Sequence, residues 1–177
     1  MVQNIWKDGV FGLIVGDALG VPVEFSSREE CEHNPVIGMR AYGTHNQPAG
    51  TWSDDSSMTL ATLDSIKQKG KIDYKDLMDK FTEWCLYADY TPFHEVFDIG
   101  VATSRAIIQY GKGTDPIDCG GKTEWDNGNG SLMRILPVCL YLYNRQKMIC
   151  TSENESIYMI HNVSALTHAH LRSQIAC

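Results

Sequence analysis

Apolar residues recur at helical spacing along most of this 177-residue chain, and this periodicity is the strongest constraint on its fold. The first run has apolar side chains three or four residues apart, at Phe11, Ile14, Val15, Ala18 and Leu19. Gly20 and Pro22 then predict the end of this helix. The alternation of apolar and polar residues that is typical of strands is nearly absent. We therefore predict an all-α fold, a compact multi-helix domain that spans residues 1–177 as one unit.

Further helices are predicted from periodicity and capping signals. They are expected over residues 54–67, from an N-cap at Asp73, over residues 96–110, from about Gly130, and from about residue 152 to the end of the sequence. Pro137 falls inside the helix expected from Gly130 and predicts a kink there. Ser152 and Glu155 form a capping-box pattern at the start of the last helix. Residues 26–50 are rich in turn formers, and we predict a loop.

The charge and the cysteine pattern argue against several classes of protein. A formal net charge of −7 and an isoelectric point near 5.3 do not suit a sequence-independent nucleic-acid binder, which needs clustered Lys and Arg. Asp17 interrupts the apolar centre of the N-terminal segment, which therefore suits neither a secretory signal nor a membrane span. The six cysteines include no Cys-x-x-Cys pair, so we interpret them as reduced thiols. We predict a cytoplasmic protein without nucleic-acid or membrane partners.

The segment "GTWSDDSSMTLAT" allows two interpretations. Ser53 is a good N-cap, and Asp54 and Asp55 in the first turn would each favour the helix dipole by about 0.3–1 kcal/mol, so no ligand is needed. Alternatively, these carboxylates, hydroxyl oxygens and the nearby Glu24 are ligands that a hard cation such as Mg²⁺ or Mn²⁺ selects. Carboxylates gathered in this way raise the pKa of at least one member unless a cation compensates. The residues alone leave both interpretations open.

The segment "DNGNGSLMRILP" predicts a glycine-rich turn that leads into a helix. Backbone N–H groups exposed at such a helix start form a natural phosphate site. An ordinary turn capped by Asn129 or Ser131 explains the pattern equally well.

Four segments together resemble the ADP-ribosylglycohydrolase family of the dinitrogenase-reductase-activating glycohydrolase type. They are "GLIVGDALGVPVEF", "GTWSDDSSMTLA", "GNGSLMRILPV" and "SALTHAHLRSQ". Their order matches the family's, and they extend over essentially the whole chain. The resemblance implies an all-α fold and a hydrolase that cleaves the glycosidic bond between ADP-ribose and an acceptor. The implied substrate is an ADP-ribosylated protein or a small ADP-ribosyl compound.

The resemblance also implies a metal site with two Mg²⁺ or Mn²⁺ ions in the intact enzyme. Ser53, Asp54 and Asp55 match the family's metal-binding stretch, with serine where threonine is more usual. Glu24 matches a family glutamate that binds metal or positions the attacking water, so we predict it as the catalytic residue.

The family's substrate-binding residues are matched in the two later segments. The glycine-rich turn is expected near the diphosphate and riboses, and it consists of Gly128, Asn129, Gly130 and Ser131. His168 matches a family histidine that lines the same pocket.

The chain departs from the family in one respect. The resemblance implies a second metal motif of Asp-x-Asp-Thr/Ser type, yet no aspartate follows Asp126. Helical periodicity is also still running at residues 174–176. We therefore expect the N-terminal part of such an enzyme, with impaired activity by itself. The alternative is a non-catalytic module that binds ADP-ribose or a protein. The expected partner is a second copy or the missing C-terminal half.

Overall fold

The computed structural model describes residues 4–148 and 153–177, and within them the chain forms eight α-helices and no sheet. The helices are α1 (Ile5–Gly20), α2 (Arg28–His33), α3 (Asp54–Lys69), α4 (Tyr74–Tyr87), α5 (Val101–Gly111), α6 (Leu136–Met148), α7 (Glu153–Ala165) and α8 (Leu171–Ala176). The all-α prediction is confirmed. Among the described helices, none combines the length and apolar character that a bilayer crossing requires.

Helix α3 packs against α1, α4 and α6, and most of its buried residues are small. Beside the larger Met58 and Ile66, they include Ser56, Ser57, Thr59, Ala61, Thr62 and Ser65. The hydroxyls of Ser57 and Thr62 each donate a 2.8 Å hydrogen bond to the backbone carbonyl four residues earlier, which satisfies them inside the core. Because these side chains are short, the neighbouring helices approach α3 closely. Large side chains of α4, such as Phe81 and Trp84, then fill the surrounding core.

A polar network fixes the segment that follows α4. Lys80 forms a 2.8 Å ion pair with Asp64 of α3, and the hydroxyl of Tyr90 donates to the same carboxylate at 2.8 Å. The indole N–H of Trp52 donates to the backbone carbonyl of Tyr90 at 3.0 Å. These bonds anchor the start of the segment that leads to Asp98.

Two predicted helices begin later than expected. α5 begins at Val101, so residues 96–100 precede it instead of belonging to it. α6 begins at Leu136, and residues 130–134 form a turn, so the predicted start near Gly130 is wrong. The predicted kink is also wrong, because Pro137 occupies the first turn of α6. A proline there costs no hydrogen bond, since that N–H has no intrahelical partner.

The predicted last helix is divided into two. α7 ends at Ala165 and α8 begins at Leu171, with residues 166–170 forming a turn between them. The predicted capping box depends on Ser152, which lies outside the described residues. Residues 26–50 are not entirely a loop, because α2 lies within them. Its N-terminus has a capping box in which Ser27 and Glu30 exchange hydrogen bonds of 3.2 and 2.7 Å.

Gly43 provides a test of how this segment is held against the end of α1. Gly43 has φ +67, and an added Cβ would lie 2.0 Å from the carbonyl oxygen of Pro22. Gly50 also has a positive φ, +82, but an added Cβ there meets nothing within 4 Å. Gly50→Ala should therefore lower the free energy of unfolding only by the cost of a left-handed alanine, about 1–2 kcal/mol.

Gly43→Ala should cost clearly more than Gly50→Ala in urea denaturation, because its backbone must also move away from Pro22. Equal losses in the two variants would show that the close approach of residues 22 and 43 is not maintained in solution.

Candidate functional site

The N-terminus of α3 binds the carboxylate of Asp17, which comes from α1. The backbone N–H of Ser53 and that of Ser56 donate to this carboxylate at 3.0 Å each, and the two serine hydroxyls donate at 2.8 and 2.6 Å. The first N–H groups of a helix have no intrahelical partner and carry the positive end of its dipole, so a carboxylate is favoured there. Asp17 thereby fixes the first turn of α3, which carries Asp54 and Asp55.

Asp54 and Asp55 share a cavity of about 340 Å³ with two carboxylates from elsewhere in the chain, Glu24 and Asp98. The structure therefore brings together the three carboxylates that were predicted as metal ligands or catalytic residue. Asp98 joins them although sequence reasoning missed it. Its position between α4 and α5 gives no local pattern, and only the tertiary fold brings it to the cavity.

The gathered carboxylates perturb one another. Burial, then the charges of Asp55, Asp98 and Asp17 in that order, raises the pKa of Asp54 to about 8. Burial and the charge of Asp17 likewise raise the pKa of Asp55. Burial and the charge of Glu24 raise the pKa of Asp98. Hard oxygen donors that repel one another in this way suit a divalent cation such as Mg²⁺ or Mn²⁺, which would remove the repulsion.

Glu24 is oriented by a histidine that sequence reasoning also missed. The Nε2 atom of His45 lies 2.6 Å from a carboxylate oxygen of Glu24. One potential ligand atom from each of Glu24, His45 and Asp98 lies within 4.8 Å of the others. The imidazole contacts two aromatic rings, with centroid distances of 6.1 Å to Phe25 and 5.2 Å to Phe97.

Ser53 contributes to an adjoining cavity of about 270 Å³ together with Asp17, Glu24, Asp55 and Asn129. Its hydroxyl donates to Asp17 at 2.8 Å. Ser53 therefore caps α3 and also lies beside two of the predicted metal ligands.

A glycine-rich wall lies on another side of the main cavity and includes Gly128, Asn129, Gly130 and His168. Gly120 and Gly121, which precede this wall in the chain, are joined to the end of α7 and the turn after it by backbone hydrogen bonds: Gly120 N–H donates to Ala165 C=O at 3.0 Å, and Ala169 N–H donates to Gly121 C=O at 2.9 Å. An added Cβ on Gly130 would lie 2.7 Å from Cε1 of His168, so the imidazole can pack here only against glycine.

Ser131 lies behind this wall and does not line the cavity. It is fully buried, and its hydroxyl oxygen accepts a 2.9 Å hydrogen bond from the hydroxyl of Ser164. The expected helix start at the glycine-rich turn is absent, because α6 begins only at Leu136. The rim of the cavity also carries two strongly exposed aromatic side chains that the sequence did not single out, Phe25 and Trp125.

The fold and the cavity define an all-α protein in which clustered carboxylates and a glycine-rich wall share one cavity. The family comparison is specific: the ADP-ribosylglycohydrolase model matches residues 4–177, and the chain belongs to this family.

Two relatives and one solved structure show the extent of the similarity. The ADP-ribosylarginine hydrolase Tri1 of Pseudomonas putida (strain GB-1) is 30% identical over 165 residues, which are 92% of this chain and 41% of the relative. The ADP-ribosyl-[dinitrogen reductase] glycohydrolase of Rhodospirillum rubrum is 33% identical over 141 residues, 73% of this chain and 42% of the relative.

A solved structure described as an ADP-ribosylglycohydrolase-related protein complex has a TM-score of 0.73 and 31% identity. The match covers 94% of this chain and 50% of that one. This chain thus spans about two fifths to half the length of these relatives.

The raised pKa of Asp54 predicts how stability depends on pH in the presence of a chelator. Between about pH 4 and pH 8 the unfolded carboxyl is ionised, whereas the folded one keeps its proton, since its pKa is about 8. The folded state binds more protons than the unfolded state between these pH values, so the contribution of Asp54 to the free energy of unfolding falls as pH rises. Above about pH 8 this contribution no longer changes. Urea denaturation from about pH 5 to about pH 8 should show wild type losing stability relative to Asp54→Asn. Parallel pH profiles for the two proteins would contradict the assignment.

Replacing Asp17 tests its contact with α3. Asp17→Asn substitutes an NH₂ donor for one of two oxygens that together accept hydrogen bonds from Ser53 and Ser56. We expect the free energy of unfolding to fall by about 1–3 kcal/mol, because at least one buried donor loses its acceptor. The matched control is Asp89→Asn at an exposed turn, which should stay within about 0.5 kcal/mol of wild type in the same urea titration. Similar values for both variants would refute the role of Asp17.

Proposed function

We propose that this protein hydrolyses the N-glycosidic bond between ADP-ribose and an arginine side chain of a modified protein. It would do so together with a polypeptide that corresponds to the part of the relatives that this chain does not match. The observation that carries the proposal is the cavity in which Glu24, Asp54 and Asp55 meet Gly128–Gly130 and His168. The relatives' names support the choice of acceptor, because one is an ADP-ribosylarginine hydrolase.

Ser53, Asp54, Asp55 and Glu24 are the residues that would hold the metal, and oxygen donors of this kind favour Mg²⁺ or Mn²⁺. When bound, the metal supplies a Lewis acid that orients ribose hydroxyls and stabilises developing negative charge. The family resemblance implies two ions. The further ligands would come from the part of the relatives that this chain does not match.

Glu24 is the candidate base. Nε2 of His45 lies 2.6 Å from one of its carboxylate oxygens, and this contact fixes the orientation of the carboxylate. A water hydrogen-bonded to Glu24 would transfer a proton to it as the water oxygen bonds to the anomeric carbon of the distal ribose. The bond from that carbon to the nitrogen of the guanidinium breaks, and the nitrogen keeps the electron pair, so arginine leaves as a neutral guanidine that can regain a proton from Glu24. The glycine-rich wall offers backbone groups close to the ligand, since Gly128 and Gly130 carry no side chain.

A second candidate function follows from the coverage of the relatives, since the chain spans only 41% of the Tri1 protein. It is a module that binds ADP-ribose without hydrolysis, because part of the ligand set would be absent. Its partner would be a second copy of the chain or a polypeptide equivalent to the rest of the relatives' length.

Calorimetry and a turnover assay distinguish the two functions. We expect the chain to bind Mn²⁺, and Asp55→Asn to weaken that binding at least tenfold, because a coordinating carboxylate is lost. The matched control, Asp89→Asn, should bind Mn²⁺ as wild type does. ADP-ribose should also bind. Release of ADP-ribose from an arginine-modified peptide should be weak with the chain alone and should stop on adding a chelator.

Three outcomes decide the matter. Failure of wild type to bind either Mn²⁺ or ADP-ribose would refute the proposal. Binding of ADP-ribose that a chelator does not affect, without turnover, would favour the non-catalytic module. Faster release of ADP-ribose from a serine-modified peptide than from the arginine-modified one would refute arginine as the proposed acceptor.

A further inference from the structure

Arg134 is a fully buried cation. Its Nη2 donates hydrogen bonds to the carbonyl oxygen of Val163 at 3.2 Å and to the hydroxyl oxygen of Thr167 at 2.7 Å. The guanidinium carbon lies 4.6 Å from the ring centroid of Phe81. Its Nε and Nη1 atoms have no hydrogen-bond partner in the described part of the chain, and no carboxylate there forms an ion pair with it. A buried charge that forms no ion pair with a described carboxylate is expensive, so its position calls for an explanation beyond packing.

Thr167 connects this cation to the cavity. Its hydroxyl oxygen accepts from Arg134 and lies 2.8 Å from Nδ1 of His168. A hydroxyl has a single hydrogen to donate. If Nδ1 carried the imidazole proton, it would donate to Thr167, and the threonine hydrogen would have no acceptor among the described residues. A buried donor without a partner is costly. The Thr167 hydroxyl both accepts and donates only when it donates to Nδ1, which must then be unprotonated.

The proton of the neutral imidazole is therefore on Nε2, and this atom faces the cavity. An added Cβ would lie 3.5 Å from Nε2 at Gly128 and 3.2 Å from it at Gly130, which places Nε2 against these two glycines of the wall. His168 lines the cavity, and its Nε2 has no hydrogen-bond partner within residues 4–148 and 153–177. Burial, followed by the positive charge of Arg134, lowers the pKa of His168 to about 4, so the ring is neutral at physiological pH.

We propose that Arg134 and Thr167 are positioning residues that hold His168 in the Nε2–H tautomer, so that it donates a hydrogen bond to an acceptor oxygen of the ligand. The tautomer follows from the buried hydrogen bonds alone. The identity of the oxygen, in the diphosphate or ribose of ADP-ribose, rests on the proposed function. The two sides of the cavity then differ in chemistry. Carboxylates line one side, and the uncharged Nε2–H donor of His168, which is connected through Thr167 to the buried Arg134, lies on the other.

Nitrogen-15 NMR of the histidine side chains tests the tautomer on the chain without ligand or metal. The signal of His168 is identified by its absence in His168→Gln. We expect wild type to show an unprotonated Nδ1 and a protonated Nε2 near neutral pH. Thr167→Val has nearly the same shape but cannot donate, and should lose this preference or reverse it. Thr167→Ser keeps the hydroxyl and should retain the wild-type signal. A protonated Nδ1 in wild type, or identical tautomers in wild type and Thr167→Val, would overturn the proposal.

Arg134→Lys tests the first part of the chain of hydrogen bonds. Lysine keeps a positive charge but cannot donate to both Val163 and Thr167 with the geometry of a planar guanidinium. Denaturation first establishes that the variant is folded. We expect a mixture of His168 tautomers, whereas an unchanged Nε2–H tautomer would show that Thr167 acts without Arg134.

The role toward the ligand is measured separately by titrating ADP-ribose into the same proteins. Thr167→Val should weaken ADP-ribose binding about tenfold or more, which is the usual effect of losing a hydrogen bond to a charged group, and Thr167→Ser should restore it. Equal affinities for wild type and Thr167→Val would show that His168 does not donate the proposed hydrogen bond to ADP-ribose. Absence of ADP-ribose binding by wild type would refute the proposed function instead, while the NMR result still decides the tautomer.

Discussion

The geometry of the whole site depends on the carboxylate of Asp17 at the start of α3. Two backbone N–H groups and two hydroxyls donate to it, and these bonds join α1 to α3 at the point where Asp54 and Asp55 enter the cavity. Such a bond network replaces the water that would otherwise solvate a helix N-terminus. It also brings a third carboxyl group close to those of Asp54 and Asp55. The same contact therefore stabilises the helix and contributes to the perturbation of the site's pKa values.

The small residues of α3 complete this arrangement. A helix that buries Ser, Thr and Ala allows neighbouring helices to come close, and the hydroxyls of Ser57 and Thr62 are satisfied by its own backbone. The metal-ligand candidates consequently lie at the end of a tightly packed helix. Rigid support of this kind limits the movement of Asp54 and Asp55, which a coordination site requires.

The sequence predicted those features that depend on local patterns. The all-α class, the caps at Ser53 and Asp73 and most helix positions follow from periodicity and N-cap chemistry, which act over a few residues. The start of α6 could not be predicted in this way, because Pro137 is compatible with both a first turn and an interior kink. The short helix α2 had a local signal in its Ser-x-x-Glu pattern, which sequence reasoning overlooked.

The composition of the site was predictable only in part. Glu24, Asp54 and Asp55 were grouped through a family resemblance, since no periodicity places residues 24 and 54 together. Asp17, His45 and Asp98 reach the site from α1, a short 3₁₀ turn and a loop, and only the tertiary fold shows that they meet there.

The long sequence separation of these contacts links ligand binding to folding. The hydrogen bonds from Ser53 to Asp17 span 36 residues, and the one from Arg134 to Thr167 spans 33. None of the helices can form the site by itself, so an unfolded or partly docked chain would have little affinity for the proposed cation or nucleotide. The free energy of binding either ligand would therefore add to conformational stability, and a cell supplied with that ligand would hold more of this protein in the folded state.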